Sequence, residues 1–269
     1  MTRARRRFYS PDPIADSLAS GFVMLPEGES HHLLDVLRIE PGEVVEIFDA
    51  RGEVWLGRSA GRRDGRAAIE PLERVAIEVD GGPVVHLALS LLKRRAMDWA
   101  VEKLSELGVA SLQPLVARRT AVEAPKDEDR GAIARWERIA VAAAKQCGRA
   151  RPMAIEAPIK LDAWLARDRP ESRRCFAHAS VESIPIALWL ESSERRRSEG
   201  ADRRGEIFVV AVGPEGGWMP EETAALQASG FARLDLGPLT LRAETAAIAA
   251  AAACRLHGAS PERTRRARS

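Results

Sequence analysis

The order of apolar and amphipathic segments from Val84 onward is the feature that most restricts the fold of this chain. Strand-like apolar runs occur at residues 84–92, 110–117, 175–179, 206–212 and 231–237. Helical patterns lie between or after them, at residues 96–108, 129–148, 219–230 and 244–258. Parallel strands need a long crossover, usually a helix, so this alternation predicts an α/β domain with a mostly parallel sheet.

The N-terminal part of the chain has a different pattern. Pro-Gly, Arg-Gly and Asp-Gly pairs separate short strand-like runs over residues 41–73, which predicts a small β-rich domain over residues 1–76. A short helix precedes these runs, with Ser30 expected as its N-cap. The Asp-Gly-Gly-Pro sequence at 80–83 interrupts any regular element, so the second domain is expected to span residues 82–260.

Composition excludes several classes of protein. Of 269 residues, 45% are hydrophobic and 30% are charged, as in soluble globular proteins. No apolar run approaches the roughly 20 residues that cross a bilayer, and no apolar segment follows the basic N-terminus, so neither membrane association nor a signal peptide is expected. Cys147, Cys175 and Cys254 are odd in number and lack metal-site spacing, which predicts a cytoplasmic protein without disulfides or a metal.

Charge is distributed unevenly, although the net charge is only +2. Arginine-rich clusters stand at residues 3–7, 93–95, 147–151 and 263–268. Arginine suits contacts with phosphates and stacking on bases, but such clusters are also common on solvated surfaces. The charged segment 191–206 contains few large apolar residues and is expected to form a surface loop, and the tail 260–269 is expected to be disordered.

The glycine-rich stretch VGPEGGW, at residues 212–218, joins a strand-like run to a helix. It lacks the Gly-Lys-Ser/Thr of a phosphate-binding P-loop, and its glycines do not fit G-x-G-x-x-G. Glu215, Glu221 and Glu222 lie in or just after it, without any Lys or Arg up to Glu222. Pro220 and the two following acids make a good helix start, which leaves Glu215 unexplained. The stretch therefore favours a neutral or cationic ligand over a phosphate.

A second loop of similar construction follows. In LDLGPLTLRAETAAIAAAAA, residues 234–253, a strand leads through a Gly-Pro turn to an alanine-rich helix that begins near Glu244. Small side chains let this helix approach another surface closely, within the same chain or in a second subunit. Both loops follow strands, so they are expected to lie at the carboxyl edge of the sheet and to form one ligand cleft.

The two loops together resemble the paired C-terminal signatures of the RsmE-type ribosomal RNA uridine-N3 methyltransferases, of the SPOUT superfamily. Further blocks similar to that family occur upstream in the same order: RRFY at 6–9, HHLLDVLRIEPGEVVEIFD at 31–49, KRRAMDWAVEKLSELGVASLQPL at 93–115 and RWERIAVAAAKQCGRARP at 135–152. The chain departs from the family pattern at Thr240, where an aliphatic residue is expected, and at 191–206, which resembles an insertion.

The resemblance implies an N-terminal PUA-like β-barrel and a C-terminal SPOUT α/β domain with a trefoil knot, assembled as a homodimer. It implies methylation, with S-adenosyl-L-methionine, of a uridine N3 in the decoding region of 16S rRNA in the small ribosomal subunit. The cofactor's sulfonium cation fits the acidic loop. Residues expected to bind the cofactor are His178, Val212, Gly213, Pro214, Gly216, Gly217, Leu236, Gly237, Leu241, Arg242, Thr245 and Ala246.

Two side chains are candidates for catalysis. Arg242 could stabilise the charge that develops on the uracil carbonyl oxygens, with an ion pair to Glu244 or a contact with the sheet edge as the structural alternative. Glu215 could act as a base or orient Arg242, or it could cap a loop amide. His178 follows a strand near the expected cleft, where a single histidine is more often structural than functional.

RNA contacts are expected from Arg6, Arg7, Phe8, Arg94 and Arg149. Phe8 could stack on a base or anchor the core of the small domain. N3 lies on the pairing edge, so the target base must be unpaired or flipped out. Two other functions remain open: methylation of a ribose 2′-hydroxyl on the same fold, and RNA binding by a non-catalytic assembly factor.

Overall fold

The computed structural model describes residues 6–75, 82–122, 131–167, 171–194 and 206–257. The expected domain boundary at 76–81, most of the charged segment (195–205) and the C-terminal tail from 258 lie outside the described residues. The chain divides into two compact units, Met1–Val79 with Val141–Pro152, and Asp80–Ala140 with Met153–Ser269. Residues 141–152 thus group with the first unit, whereas the division drawn from the sequence places them in the second domain.

The first unit is built on a small sheet with the strand order β1-β3-β4-β5-β2. Strands β1 and β3 are parallel, and the other neighbours are antiparallel. The elements are β1 (Arg7–Ser10), a 3₁₀ turn (Ile14–Ser20), β2 (Val23–Met24), α1 (Glu27–His31), a π-helical turn (His32–Val36), β3 (Val44–Asp49), β4 (Val54–Arg63) and β5 (Arg66–Arg74).

Alternation along β1 determines which side chains enter the core of the first unit. Phe8 and Ser10 are buried, and Arg7 and Tyr9, which alternate with them, face the other way. Phe8 is fully buried and packs with Ile14, Ile47 and other apolar residues. Because Phe8 is buried, its ring has no face on which a base could stack. The structure therefore supports the alternative that Phe8 anchors the core, and not the predicted stacking role.

The predicted N-cap at Ser30 is wrong. Helix α1 begins at Glu27 and has Pro26 as its N-cap, so Ser30 lies inside the helix and is buried. The Ser30 hydroxyl donates to the Leu25 carbonyl at 3.0 Å and accepts from the Ala67 amide at 2.9 Å. Ser30 therefore joins the helix to strand β5 rather than starting the helix.

The second unit contains the parallel sheet that the sequence predicts. Its order is β11-β13-β10-β12-β6-β7-β8, with β9 also paired to β7, and every recorded pair is parallel. The elements are β6 (Val84–Ser90), α2 (Arg94–Glu106), β7 (Ser111–Val116), β8 (Ala154–Ile155), β9 (Ile159–Lys160), α4 (Leu161–Leu165), β10 (Arg173–Ala177), β11 (Ile184–Pro185), α5 (Ile186–Glu194), β12 (Ile207–Val212), α6 (Pro220–Ala228), β13 (Ala232–Asp235) and α7 (Ala243–Leu256). Helix α3 (Gly131–Cys147) belongs to this unit up to Ala140, and its residues from Val141 group with the first unit.

Apolar side chains cover both faces of this sheet, as expected for parallel strands. On one face, Val210 and Leu87 pack with helices α2 and α7. On the other, Ala211 and Phe176 pack with Trp218 and with residues of α4 and α6. None of the described helices is long and apolar enough to span a membrane.

The alanine-rich helix α7 packs against its own unit. Ala246, Ala247, Ala250 and Ala251 are buried, and the helix contacts α2, β6 and β12. Side chains this small let the helix axis lie close to the strands, which explains the alanine run without a second subunit. Contact with a second subunit stays a prediction.

The order of three strands determines where the ligand loops lie. Strand β10 stands between β13 and β12, and these parallel strands end at Asp235, Ala177 and Val212. The loops that follow them therefore emerge side by side at the carboxyl edge of the sheet, as the sequence predicts for its two glycine loops. The trefoil knot stays a prediction.

Candidate functional site

The first glycine loop forms a tight turn. The Gly217 amide donates to the Pro214 carbonyl at 2.8 Å, and Gly217 has a φ of +70°. L-amino acids rarely adopt this conformation, whereas glycine, which has no Cβ, adopts it readily. Glu215 is the exposed second residue of the turn. The turn thus presents backbone groups and one carboxylate beyond the end of β12.

Gly213 is required for a different reason. A Cβ atom on Gly213 would lie 2.9 Å from Cε2 and 3.0 Å from Nε1 of Trp218. The Trp218 ring is 4% exposed, and its Nε1 donates to the Ala177 carbonyl at 3.2 Å. The indole therefore lies against the Gly213 backbone and links the ends of strands β12 and β10.

The second loop is closed by an aspartate. Oδ1 of Asp235 accepts from the Gly237 amide at 3.2 Å, and Gly237 has a φ of +125°. The loop then reaches helix α7, whose N-cap is Arg242; the Arg242 carbonyl accepts from the Ala246 amide at 2.8 Å. The Asp235 carboxylate is thereby held at the end of β13.

His178 lies one residue beyond β10. Its amide donates to the Leu234 carbonyl at 2.9 Å, and its carbonyl accepts from the Ser183 hydroxyl at 2.5 Å. Burial of the imidazole and the nearby charge of Arg233 lower the pKa of His178 below its ordinary value of 6.5, although Glu182 acts in the opposite direction. At neutral pH the ring is therefore uncharged.

These three strand ends enclose a cavity of about 260 Å³ within the second unit. Glu215 and Asp235 both line it, and the described lining residues include neither lysine nor arginine. With His178 neutral, the side-chain charge around the cavity is negative. A phosphate would meet like charge there, whereas a cationic ligand would be stabilised.

Most of the residues predicted to bind a cofactor are brought together here. Those lining the cavity are His178, Val212, Gly213, Pro214, Gly217, Leu236, Gly237, Leu241 and Ala246, together with the catalytic candidate Glu215. Gly216, Arg242 and Thr245 are predicted for the same site but do not line it. Their roles in binding stay predictions.

Sequence reasoning missed several lining residues. They are Ala177, Ala179, Trp218, Leu234, Asp235, Leu239, Thr240 and Ala243. Asp235 had a detectable signal, because an acid two residues before a glycine can bond to its amide. Trp218 directly follows the glycines, but its contact with Gly213 depends on tertiary structure.

The two catalytic candidates are both exposed. The guanidinium of Arg242 makes no hydrogen bond or ion pair with any residue in the described part of the chain, and no described ion pair joins Arg242 to Glu244. Within the same described ranges, no loop amide donates to the Glu215 carboxylate. The structural alternatives for both residues therefore find no support, and both side chains are available to a ligand.

The RNA-binding candidates differ in accessibility. Arg6 and Arg94 are exposed, and Arg149 is half-buried. The Arg7 side chain is only 9% exposed: it pairs with Glu46, donates to the Ala144 carbonyl at 2.9 Å and lies over the Phe48 ring. Arg7 therefore stabilises the first unit and, like Phe8, is not available to RNA in this structure.

No group of three or more His, Cys, Asp or Glu side chains that could hold a metal ion occurs among the described residues. All three cysteines are free.

Comparison with known families matches both parts of the chain. Residues 81–255 match a family described as an RNA methyltransferase domain. Residues 25–60 match an RNA methyltransferase PUA domain. The methyltransferase match includes every residue that lines the cavity.

Several curated proteins that are similar to this chain share the name ribosomal RNA small subunit methyltransferase E. The protein of that name from Mycobacterium bovis is 33% identical over 86% of this chain and 85% of its own length. The one from Synechocystis is 28% identical over 93% of this chain and 76% of its own length.

Solved structures show the same similarity with a ligand bound. Ribosomal RNA small subunit methyltransferase E from Neisseria gonorrhoeae, bound to S-adenosylmethionine, is 28% identical, with a TM-score of 0.76 over 93% of this chain and 96% of that one. A Legionella pneumophila protein in complex with S-adenosylmethionine is 27% identical, with a TM-score of 0.74 over 92% and 95% of the two chains.

Proposed function

The chain belongs to the family of the ribosomal RNA small subunit methyltransferases E, and on this basis we propose that it methylates N3 of a uridine in the decoding region of 16S rRNA. The general activity, transfer of a methyl group from S-adenosylmethionine to 16S rRNA with the target atom left unspecified, is that of its relatives. One observation supports the cofactor most directly: the acidic residues Glu215 and Asp235 line the cavity, and its described lining residues include neither lysine nor arginine.

The chemistry of the cavity fits this cofactor. When bound, S-adenosylmethionine supplies a methyl group on a positively charged sulfur. Glu215 and Asp235 would stabilise that positive charge, and neutral His178 would not oppose it. Gly213 and Gly217 allow close approach of the backbone to the ligand, because neither carries a side chain.

Methylation of N3 makes a bond from N3 to the methyl carbon, breaks the bond from that carbon to sulfur, and leaves the electron pair on sulfur. The proton on N3 must also depart. We propose that Arg242 stabilises the negative charge spreading onto the uracil carbonyl oxygens and that Glu215 assists removal of the proton. Both side chains are exposed, so a base placed at the cavity entrance could reach them.

RNA contacts are proposed for the exposed guanidinium groups. Arg6 in the first unit and Arg94 at the start of helix α2 suit phosphate oxygens.

A homodimer is also proposed. Leu239, which lines the cavity and is 75% exposed, is an apolar surface that a second copy could cover. Light scattering on the purified chain tests the dimer, and a monomeric mass at micromolar concentration contradicts it.

The proposed reaction is tested with purified protein, methyl-labelled S-adenosylmethionine and small subunits that lack the modification. We expect label in 3-methyluridine after complete digestion to nucleosides. Label in a 2′-O-methyl nucleoside would replace the N3 proposal with ribose methylation. Cofactor-independent RNA binding without transfer of label would support an assembly factor instead.

The pKa of His178 predicts a pH dependence of cofactor binding. Because its pKa is lowered, His178 is neutral above about pH 6.5 and becomes charged as the pH falls through its pKa. We expect affinity for S-adenosylmethionine to stay constant from pH 8 to pH 6.5 and to weaken only as the pH falls further, through the lowered pKa of His178, since an imidazolium at the cavity wall repels the sulfonium. Calorimetry across this range measures the effect.

The neutral product S-adenosylhomocysteine provides the control for this pH effect, because its sulfur carries no charge. Its affinity should change much less over the same range. The variant His178→Gln should also remove most of the pH dependence for S-adenosylmethionine. An unchanged pH profile in that variant would contradict the assignment to His178.

A further inference from the structure

The peptide unit between Gly216 and Gly217 is held at both ends. Its N–H, from Gly217, donates to the Pro214 carbonyl at 2.8 Å. Its carbonyl, on Gly216, accepts from Nη1 of Arg119 at 2.8 Å. The first bond lies within the turn, but the second comes from a different part of the second unit, just after strand β7. Two adjacent glycines give this backbone unusual freedom, so a contact from outside the turn restricts it.

Gly216 and Arg119 are also in packing contact. A Cβ atom on Gly216 would lie 3.2 Å from Cβ and 3.3 Å from Cδ of Arg119. Gly216 therefore faces Arg119, while its neighbours Glu215 and Gly217 line the cavity. A side chain on Gly216 would therefore crowd Arg119, although Gly216 does not line the cavity itself.

The segment that carries Arg119 is itself fixed. Thr120 Oγ1 accepts from the Ala117 amide at 2.8 Å, and the Thr120 amide donates to the Ala117 carbonyl at 3.1 Å. Residues 117–120 thus form a closed turn next to the end of β7. The turn gives the Arg119 side chain a defined origin.

A buried carboxylate joins this turn to the cofactor loop at a second point. Glu222, which is 8% exposed, accepts from the Arg118 amide at 2.8 Å and from the Met219 amide at 2.9 Å. The second of these bonds caps helix α6, whose first residue is Pro220 as predicted. The 117–120 turn therefore contacts the 212–222 segment at two places, and Arg119 provides the contact nearest the cavity.

We propose that Arg119 is a positioning residue for the cofactor: it fixes the Gly216–Gly217 peptide and so holds Glu215 and Gly217 at the cavity wall. This inference rests on the proposed binding of S-adenosylmethionine at that cavity. Arg119 itself does not line the cavity. Its effect reaches the ligand only through the turn, which is organised before the cofactor arrives.

The variant Arg119→Met tests the proposal, because methionine keeps part of the packing on Gly216 and removes the guanidinium. We expect the dissociation constant and KM for S-adenosylmethionine to rise about three- to tenfold, the scale of one exposed charge-assisted hydrogen bond. The melting temperature without cofactor should stay close to wild type, and kcat at saturating cofactor should fall by a smaller factor than the affinity, because Arg119 also holds the proposed proton acceptor Glu215. Arg119→Lys should recover part of the affinity, since it retains a donor.

A matched control is Arg138→Met. Arg138 is another exposed arginine of the second unit, and its Nε donates to the Ala134 carbonyl at 3.2 Å within helix α3. This variant should bind the cofactor as wild type does. Gly216→Ala should weaken binding, and its loss should not add fully to that of Arg119→Met, because both act on one contact.

Three results would overturn the proposal: wild-type affinity in Arg119→Met, fully additive losses in the double variant, or a fall in melting temperature that accounts for the lost affinity. Wild-type protein that binds no S-adenosylmethionine would instead refute the proposed function. The two failures are therefore distinguishable in the same calorimetric series.

Discussion

Gly213→Ala is expected to weaken binding of S-adenosylmethionine by about 10- to 100-fold, the range of an overpacking cost of roughly 1–3 kcal/mol. The new methyl group would lie 2.9–3.1 Å from three ring atoms of Trp218. The ring cannot withdraw easily, because it is 4% exposed and bonded to the Ala177 carbonyl. Either the indole or the Gly213 backbone must move, and both line the cavity.

Calorimetric titration with S-adenosylmethionine measures this loss, and Gly230→Ala provides the control. Gly230 follows helix α6, has a φ of +81° and has open space at its Cβ position. Alanine there should lower stability by about 1–2 kcal/mol through backbone strain and leave the cofactor affinity unchanged. Equal affinity in Gly213→Ala and wild type would show that the indole contact does not shape the site.

The class of fold could be read from the sequence because its signals are local. Alternating strand and helix patterns predict the parallel sheet. The helix start at Pro220 and the end of the helical pattern 96–108 at its last residue, Gly108, agree with the structure. Gly108 follows helix α2 with a φ of +83°. The order of strands could not be read in the same way. It depends on which strands pair across long separations, such as β12 with β6.

The same distinction between local signals and long-range contacts applies to prediction of the site. The glycine loops were found because glycines leave a pattern in the sequence. The contact of Arg119 with Gly216 spans 97 residues, and neither residue alone indicates the other. The prediction that Arg7 and Phe8 contact RNA fails for a different reason. An adjacent basic and aromatic residue have the composition of an RNA contact, whatever their burial. Alternation along β1 places Phe8 in the core, and tertiary packing over Phe48 buries Arg7.

The second large effect is expected for Arg242→Met, which should lower kcat by about 100- to 1,000-fold, as does removal of one donor to a developing oxyanion. Arg242 stands at the N-cap of helix α7, and its helix-forming contact uses the backbone carbonyl, which bonds to the Ala246 amide. Its guanidinium makes no hydrogen bond or ion pair with the residues described in the structure. The unit therefore does not depend on that side chain for stability, so a loss of turnover would reflect catalysis.

Single-turnover methylation of small subunits with saturating cofactor measures this step. Affinity for S-adenosylmethionine should fall little in Arg242→Met, because Arg242 does not line the cavity, and RNA affinity should change less than turnover. Arg242→Lys should retain part of the rate, since it keeps the positive charge but loses the planar donor pair. If turnover stays at the wild-type level, Arg242 takes no part in the reaction. If instead cofactor affinity and turnover fall by the same factor, Arg242 contributes to binding and not to stabilisation of the uracil oxygens.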